Sequence, residues 1–224
     1  MNIFLKRLLI PLRTKQSIQN NLNYIFTFPS FKKRLEHHYE KFFFQPTEKF
    51  YELCENNPNE AIQELIKHCE LALPISIEIT HEYLQIPEEY RQAIGFDLGL
   101  PGQMYSITKY QFRVFLNNSY GKYIKAAALA HEIAHVYIRN NEINYVTQRN
   151  CKGKFSEQMT DLTTVALGLG KLMLEAYDFI HESLFWDNNL KIGYLTPKHI
   201  CYAQSLMINK LESLNVSSRQ SNRL

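Results

Sequence analysis

Three observations predict an α+β fold. Apolar residues recur at helical spacing over much of residues 30–72, and again from residue 122 towards the C-terminus. Between these stretches, from Leu73 onward, the period drops to two. Pro74-Ile-Ser-Ile-Glu-Ile79 and Tyr105-Ser-Ile-Thr108 alternate, and Gln111-Phe-Arg-Val-Phe-Leu116 follows closely. Pro87, Gly95, Gly99 and Pro101-Gly102 punctuate the loops between them. The expected organisation is a helical N-terminal region over 1–72, an α+β domain over 73–216 and a polar, fraying tail over 217–224.

Taken in order, Met1 to Arg13 is apolar but interrupted by Lys6-Arg7 and Pro11. It has no h-region of signal-peptide length and no small-residue cleavage site. Such a basic, apolar segment packs on its own domain, or contacts a partner or a membrane surface through residues 1–13. Ser30 precedes a helical pattern that runs to Phe42-Phe43-Phe44, and Pro46-Thr47 opens another. Asn57-Pro58-Asn59-Glu60 is a strong start signal: Asn as N-cap, Pro at the first helical position, Glu completing a capping box. After the strands, Asn117-Asn118-Ser119 makes a turn, and Tyr123 to Ile138 reads as one long helix. Phe155 to Leu174 reads as a second, with Ser156 as N-cap. Tyr177 to Lys191 contains the single Trp186. Thr196-Pro197 then introduces a last helix, with Ile200, Ala203, Met207 and Leu211 on its apolar face.

Composition narrows the class. With 224 residues, 45% hydrophobic and 21% charged, the chain reads as globular rather than disordered. Lys and Arg exceed Asp and Glu by 25 − 22 = 3, too slight a bias to imply a nucleic-acid partner. Cys54, Cys69, Cys151 and Cys201 form no Cys-x-x-Cys pair, which excludes a zinc ribbon and suits free thiols in a reducing, cytoplasmic setting. No apolar run is long enough to span a bilayer.

The helix from Tyr123 to Ile138 carries His131-Glu132-Ile-Ala-His135. Residues four apart on a helix share a face, so the two imidazoles can meet one Zn²⁺ at bonds of about 2.0–2.1 Å. Glu132, one step round, can reach a water on that ion without being a ligand. The chain contains two further His-Glu pairs, His81-Glu82 and His181-Glu182, and neither completes the motif. Ala126, Ala127, Ala128 and Ala130 are strong helix formers, and no Pro or Gly lies between Lys122 and Arg139. A catalytic zinc takes three protein ligands. Glu157 and Asp161 stand one turn apart on the second helix, Glu157 as the candidate third ligand. Asp161 is then the acceptor that fixes a histidine's tautomer.

His131-Glu-Ile-Ala-His135 followed by Glu157-Gln-Met-Thr-Asp161 resembles the gluzincin branch of the zincin metallopeptidases, of which thermolysin is the best-known member. The resemblance covers roughly residues 110–175 and implies a zincin-like domain with His131, His135 and Glu157 as zinc ligands. It implies Glu132 as general base and then acid, and Asp161 behind the ligands. Asn141 stands where the metzincin pattern would need a third histidine. In zincins the strand before the active-site helix runs beside the substrate, which assigns Gln111–Leu116 as an exposed edge with Arg113 and Phe115 as substrate contacts. Related enzymes add a Tyr or His donor for the oxyanion, for which Tyr194 and His199 are the candidates. Gly168 and Gly170 are expected to let the second helix approach the first; with Val165 and Leu172 in place of the required residues they form no phosphate loop.

The expected activity is zinc-dependent hydrolysis of a protein or peptide substrate, restrained by narrow specificity or by a gate formed by residues 1–70. The competing classes are a zinc-binding regulatory protein with little turnover and a non-peptidase hydrolase on the same scaffold.

Overall fold

In the computed structural model, residues 10–37, 41–71, 76–81, 101–108, 110–143, 154–182 and 193–221 are described. The expected loop residues Pro87, Gly95 and Gly99, together with Cys151 and Trp186, lie outside them, as do residues 1–9 of the N-terminal segment.

The described residues form eight helices and a three-stranded mixed sheet, so the α+β class holds. The chain opens with α1 (Leu12–Ile25), which buries Ile18, Leu22 and Ile25 at helical spacing. Next comes α2 (Pro29–His37), which starts one residue ahead of Ser30. In α3 (Glu48–Asn56) the Thr47 hydroxyl accepts the Phe50 N–H at 3.2 Å, a cap worth about 1 kcal/mol. Pro58 begins α4 (Pro58–Cys69) at its first position, but the expected capping box is absent. Asn57 instead donates its own amide to Glu60 at 3.1 Å, because at φ −147°, ψ 67° its side chain does not cap the helix.

The strands are β1 (Ser76–Thr80), β2 (Gly102–Ser106) and β3 (Gln111–Leu116). β2 lies earlier than the alternation at Tyr105–Thr108 suggests. Hydroxyls explain the shift: Ser106 donates to the Thr108 carbonyl, and Thr108 Oγ1 accepts the N–H groups of Tyr110 and Gln111, so Ile107 and Thr108 belong to the turn. The order is β1-β3-β2, with β3 parallel to β1 and antiparallel to β2. The strand expected at the edge is therefore central. Its neighbours hydrogen-bond to it on both sides, which leaves β2 and β1 as the edges among the described residues.

Helix α5 (Lys122–Asn140) lies on the sheet face made by Ile77, Ile79, Phe112, Val114 and Leu116. α6 (Lys154–Ala166) and α7 (Gly170–Glu182) pack against α5, and α8 (Pro197–Ser221) crosses both of these and α1. The stretch expected as one second helix is broken at Gly168, whose φ of +82° puts it in the left-handed region. A Cβ there would stand 2.0 Å from the Phe42 carbonyl oxygen, and the Phe44 N–H donates to the Gly168 carbonyl. That glycine thus admits the N-terminal segment, not helix α5 as the sequence suggested. Helix α6 starts at Lys154, so Ser156 lies inside its first turn rather than at its cap. Helix α8 continues to Ser221, beyond the point where the tail was expected to fray.

On a wheel of about 100° per residue, Lys122 and Tyr137 fall on the side of α5 turned away from His131 and His135, and Lys125 falls on its flank, two turns before Glu132. All three meet the N-terminal helices. Lys122 pairs with Glu48, the buried Lys125 with Glu55 at 3.0 Å, and Tyr137 packs on Phe31 with ring centroids 5.0 Å apart. The buried Arg34 of α2 donates to the carbonyls of His68 and Leu167, joining α4 to the α6–α7 turn. One apolar core runs from Ile18 to Leu211 through both regions. Among the described residues, the N-terminal helices pack on α5 and, through α1, on α6.

Candidate metal centre

His131 and His135 lie one turn apart on α5, as the spacing requires, and Glu157 on the first turn of α6 faces them. His131 Nε2 is 3.1 Å from His135 Nε2 and 3.1 Å from Glu157 Oε2, and His135 Nε2 is 3.3 Å from the same oxygen. A tetrahedral ion with bonds of about 2.0–2.1 Å holds its ligand atoms roughly 3.3–3.4 Å apart. The triangle is close to that size. These three residues are also the group among the described residues able to hold a metal ion.

The hydrogen bonds behind the triangle fix which atoms face it. Asp161, fully buried, lies 2.8 Å from His131 Nδ1 and accepts its proton. The buried Thr160 hydroxyl is 3.4 Å from His135 Nδ1. The carboxylate makes Nδ1 the donor of neutral His131, so its Nε2 lone pair faces the Glu157 carboxylate, and with His135 in the same tautomer two Nε2 lone pairs face each other and that carboxylate. Three electron pairs within 3.3 Å repel unless a cation or a proton sits among them. Without a metal, His131 takes the proton: burial lowers its affinity, but Asp161, Glu157 and the charge of Glu132 outweigh burial and raise its pKa to about 10. For Glu157, burial acts upward and the hydrogen bonds of both histidines prevail, holding it well below the usual carboxylate range.

Glu132 points from α5 towards β2. A Cβ on Gly102 would lie 3.0 Å from Ala128 Cβ and 3.6 Å from Glu132 Cγ, so glycine lets β2 approach the helix here. Burial raises the Glu132 pKa; the histidine charges oppose this, Glu157 reinforces it, and the Met104 N–H, bonded to the carboxylate, opposes it again. That N–H is available for a topological reason. Ile107 donates to Gln111 and Asn117 to Pro101, so the odd-numbered residues of β2 bond to β3. Gly102, Met104 and Ser106 direct their backbone groups away from the sheet, at the edge beside Glu132.

The other sequence candidates fall in different places. Arg113 and Phe115 alternate with the core-facing residues of β3 and lie on the sheet face opposite α5. Arg113 is engaged there by Glu78 at 2.5 Å and by the Tyr105 hydroxyl at 3.2 Å. Tyr194 lies beside the site. Its backbone N–H donates to Asp161 at 2.6 Å, and burial together with the Glu157 and Asp161 charges raises the pKa of its half-exposed phenol. His199 sits in the first turn of α8, where burial and Lys198 lower its pKa. Sequence reasoning missed Thr160, Gly102, Met104 and Gly193. Of these only Thr160 carried a signal, as a polar residue beside the two acids on an otherwise apolar helix.

No protein-family model, curated protein or solved structure matches this chain. The likeness to gluzincins stays at the level of its two motifs.

Proposed function

We propose that the chain is a zinc-dependent peptidase with a zincin-like active site, working in the cytoplasm. The observation that carries this reading is the triangle of His131, His135 and Glu157 donor atoms with a buried carboxylate, Glu132, next to it on the same helix. Two imidazoles and one carboxylate are a donor set suited to zinc. His131, His135 and Glu157 would hold the ion, and Asp161 and Thr160 would hold the histidines. Zinc in such a site supplies Lewis-acid polarisation of a carbonyl and a water acidic enough to ionise near neutral pH.

The rest falls to the chain's own residues. Glu132 takes the proton of the attacking water and returns it to the leaving amine. Its bond to Met104 holds the carboxylate at the sheet edge, where the outward N–H and C=O groups of β2 can pair with an extended peptide whatever its sequence. Tyr194, with its pKa raised, keeps its proton at neutral pH and is the oxyanion donor of this reading. No helix among the described residues is long and apolar enough to cross a membrane, which accords with a substrate met in water.

Elemental analysis of the purified protein beside His131→Ala, His135→Ala and Glu157→Ala tests the ligand set. One zinc per chain in the wild type, lost in each variant, is expected. Glu132→Gln should keep the zinc and lose peptide cleavage. A cellular phenotype that survives Glu132→Gln would favour a non-enzymatic zinc protein instead.

A further inference from the structure

Asp161 does more than orient one imidazole. While Oδ1 faces His131, Oδ2 accepts the backbone N–H groups of Tyr194 at 2.6 Å and Leu195 at 2.7 Å. The turn that supplies them is anchored a second time by Tyr177 on α7. Its hydroxyl donates to the Leu195 carbonyl at 3.0 Å and accepts the Gly193 N–H. Burial and the nearby Asp161 charge push that phenol up to about 12, so it remains a donor at any ordinary pH. Gly193 closes the arrangement. A Cβ there would lie 2.6 Å from Asp161 Oδ1, the oxygen that holds His131.

We propose that Tyr177 and Gly193 are positioning residues of the metal centre, clamping the 193–195 turn onto Asp161 so that one carboxylate sets both the His131 ring and the place of Tyr194. The inference rests on the zinc reading. Its physical content is a mechanical link: three N–H donors converge on one buried carboxylate, so loosening the turn frees the carboxylate to rotate away from the histidine. Loss of an outer partner of a metal ligand weakens metal binding by about 10–100-fold. A phenol separated from the ligating His131 by three hydrogen bonds should act at the lower end of that range.

The test is zinc affinity of the full chain, by competition with a chromophoric chelator, with circular dichroism as the check on folding. Tyr177→Phe should weaken zinc about tenfold. In an Asp161→Ala background it should cause no further loss, since the clamp then has nothing to hold. Tyr51→Phe removes another phenol bonded to α7, through Glu175, and should leave affinity unchanged. In the cobalt(II) form the visible bands should shift with Tyr177→Phe and not with Tyr51→Phe. Gly193→Ala should reproduce the loss, and if it does not fold Tyr177→Phe decides alone. Tight zinc in the wild type with unchanged affinity in Tyr177→Phe, or losses that simply add in the double variant, overturns the clamp. A wild type that takes up no zinc overturns the zinc reading, and the clamp with it.

Discussion

The two sides of α5 solve opposite problems. Towards the N-terminal helices, Lys122 has its anion in Glu48 and Lys125 in Glu55. On the histidine side, bases outnumber the cations that could satisfy them. His131, His135, Glu157 and Glu132 converge, and the hydrogen bond that His131 Nδ1 donates to Asp161 turns its Nε2 lone pair inward. One face is complete within the chain. The other gathers donors where a cation or a proton would sit, and that difference supports the proposed metal site better than any single residue does.

The contrast can be broken at several points. The largest expected effect is on turnover: Glu132→Gln should lower peptide hydrolysis by about 10²–10⁴-fold, the usual worth of a general base, at unchanged zinc content. On the complete side, Gly168→Ala should destabilise by about 3 kcal/mol or more in chemical denaturation. It forces a side chain into positive φ and into the Phe42 carbonyl. Zinc at 100 times its Kd should add about 2.7 kcal/mol to stability, lost on chelation. His135→Ala should abolish that gain while Glu55→Ala retains it. Removing Glu55 should itself cost about 1–2 kcal/mol. It strands the buried Lys125, but the glutamate is 41% exposed, so the loss stays below that of a fully buried pair.

A smaller effect concerns the back of the molecule alone. Burial raises the Cys54 and Cys69 thiols to about 12, against 9.0 for the free side chain. Both should resist alkylation in the native protein. Because the folded pKa is the higher one, the stability tied to each thiol is complete below pH 9 and is lost as pH rises towards 12. Denaturation of Cys69→Ala across that window should show a slope shallower by about one proton than the wild type.

How much of this was legible beforehand depends on the range of the interaction. The histidine helix, the Thr47 cap, the Asn117 turn and the Thr196-Pro197 start are written in neighbouring residues, and the candidate ligand set follows from i, i+4 spacing on two helices. Helix α1 was covered only by the general expectation of a helical N-terminal region, because its three buried positions, though helically spaced, lie in a Gln- and Asn-rich stretch. Edge and centre in the sheet are decided by which distant strands pair, so the order β1-β3-β2 could not be read from the strands' own sequences. Gly193 and Tyr177 gave no sign for the same reason. Their roles exist only once α6, α7 and the 193–195 turn meet around a single oxygen pair.

Helix α5 is wedged between the sheet, α6, α7 and the N-terminal helices, with most of its residues out of solvent. Such a rod has nowhere to go. An arriving ion would find its donors already standing about one tetrahedral edge apart, so loading calls for shedding water and a proton rather than moving a backbone. Uptake should then be quick and leave the shape of the protein almost untouched. On the proposed reading, the flexibility needed to admit and release a substrate would have to come from around the site, not from the candidate ligands themselves.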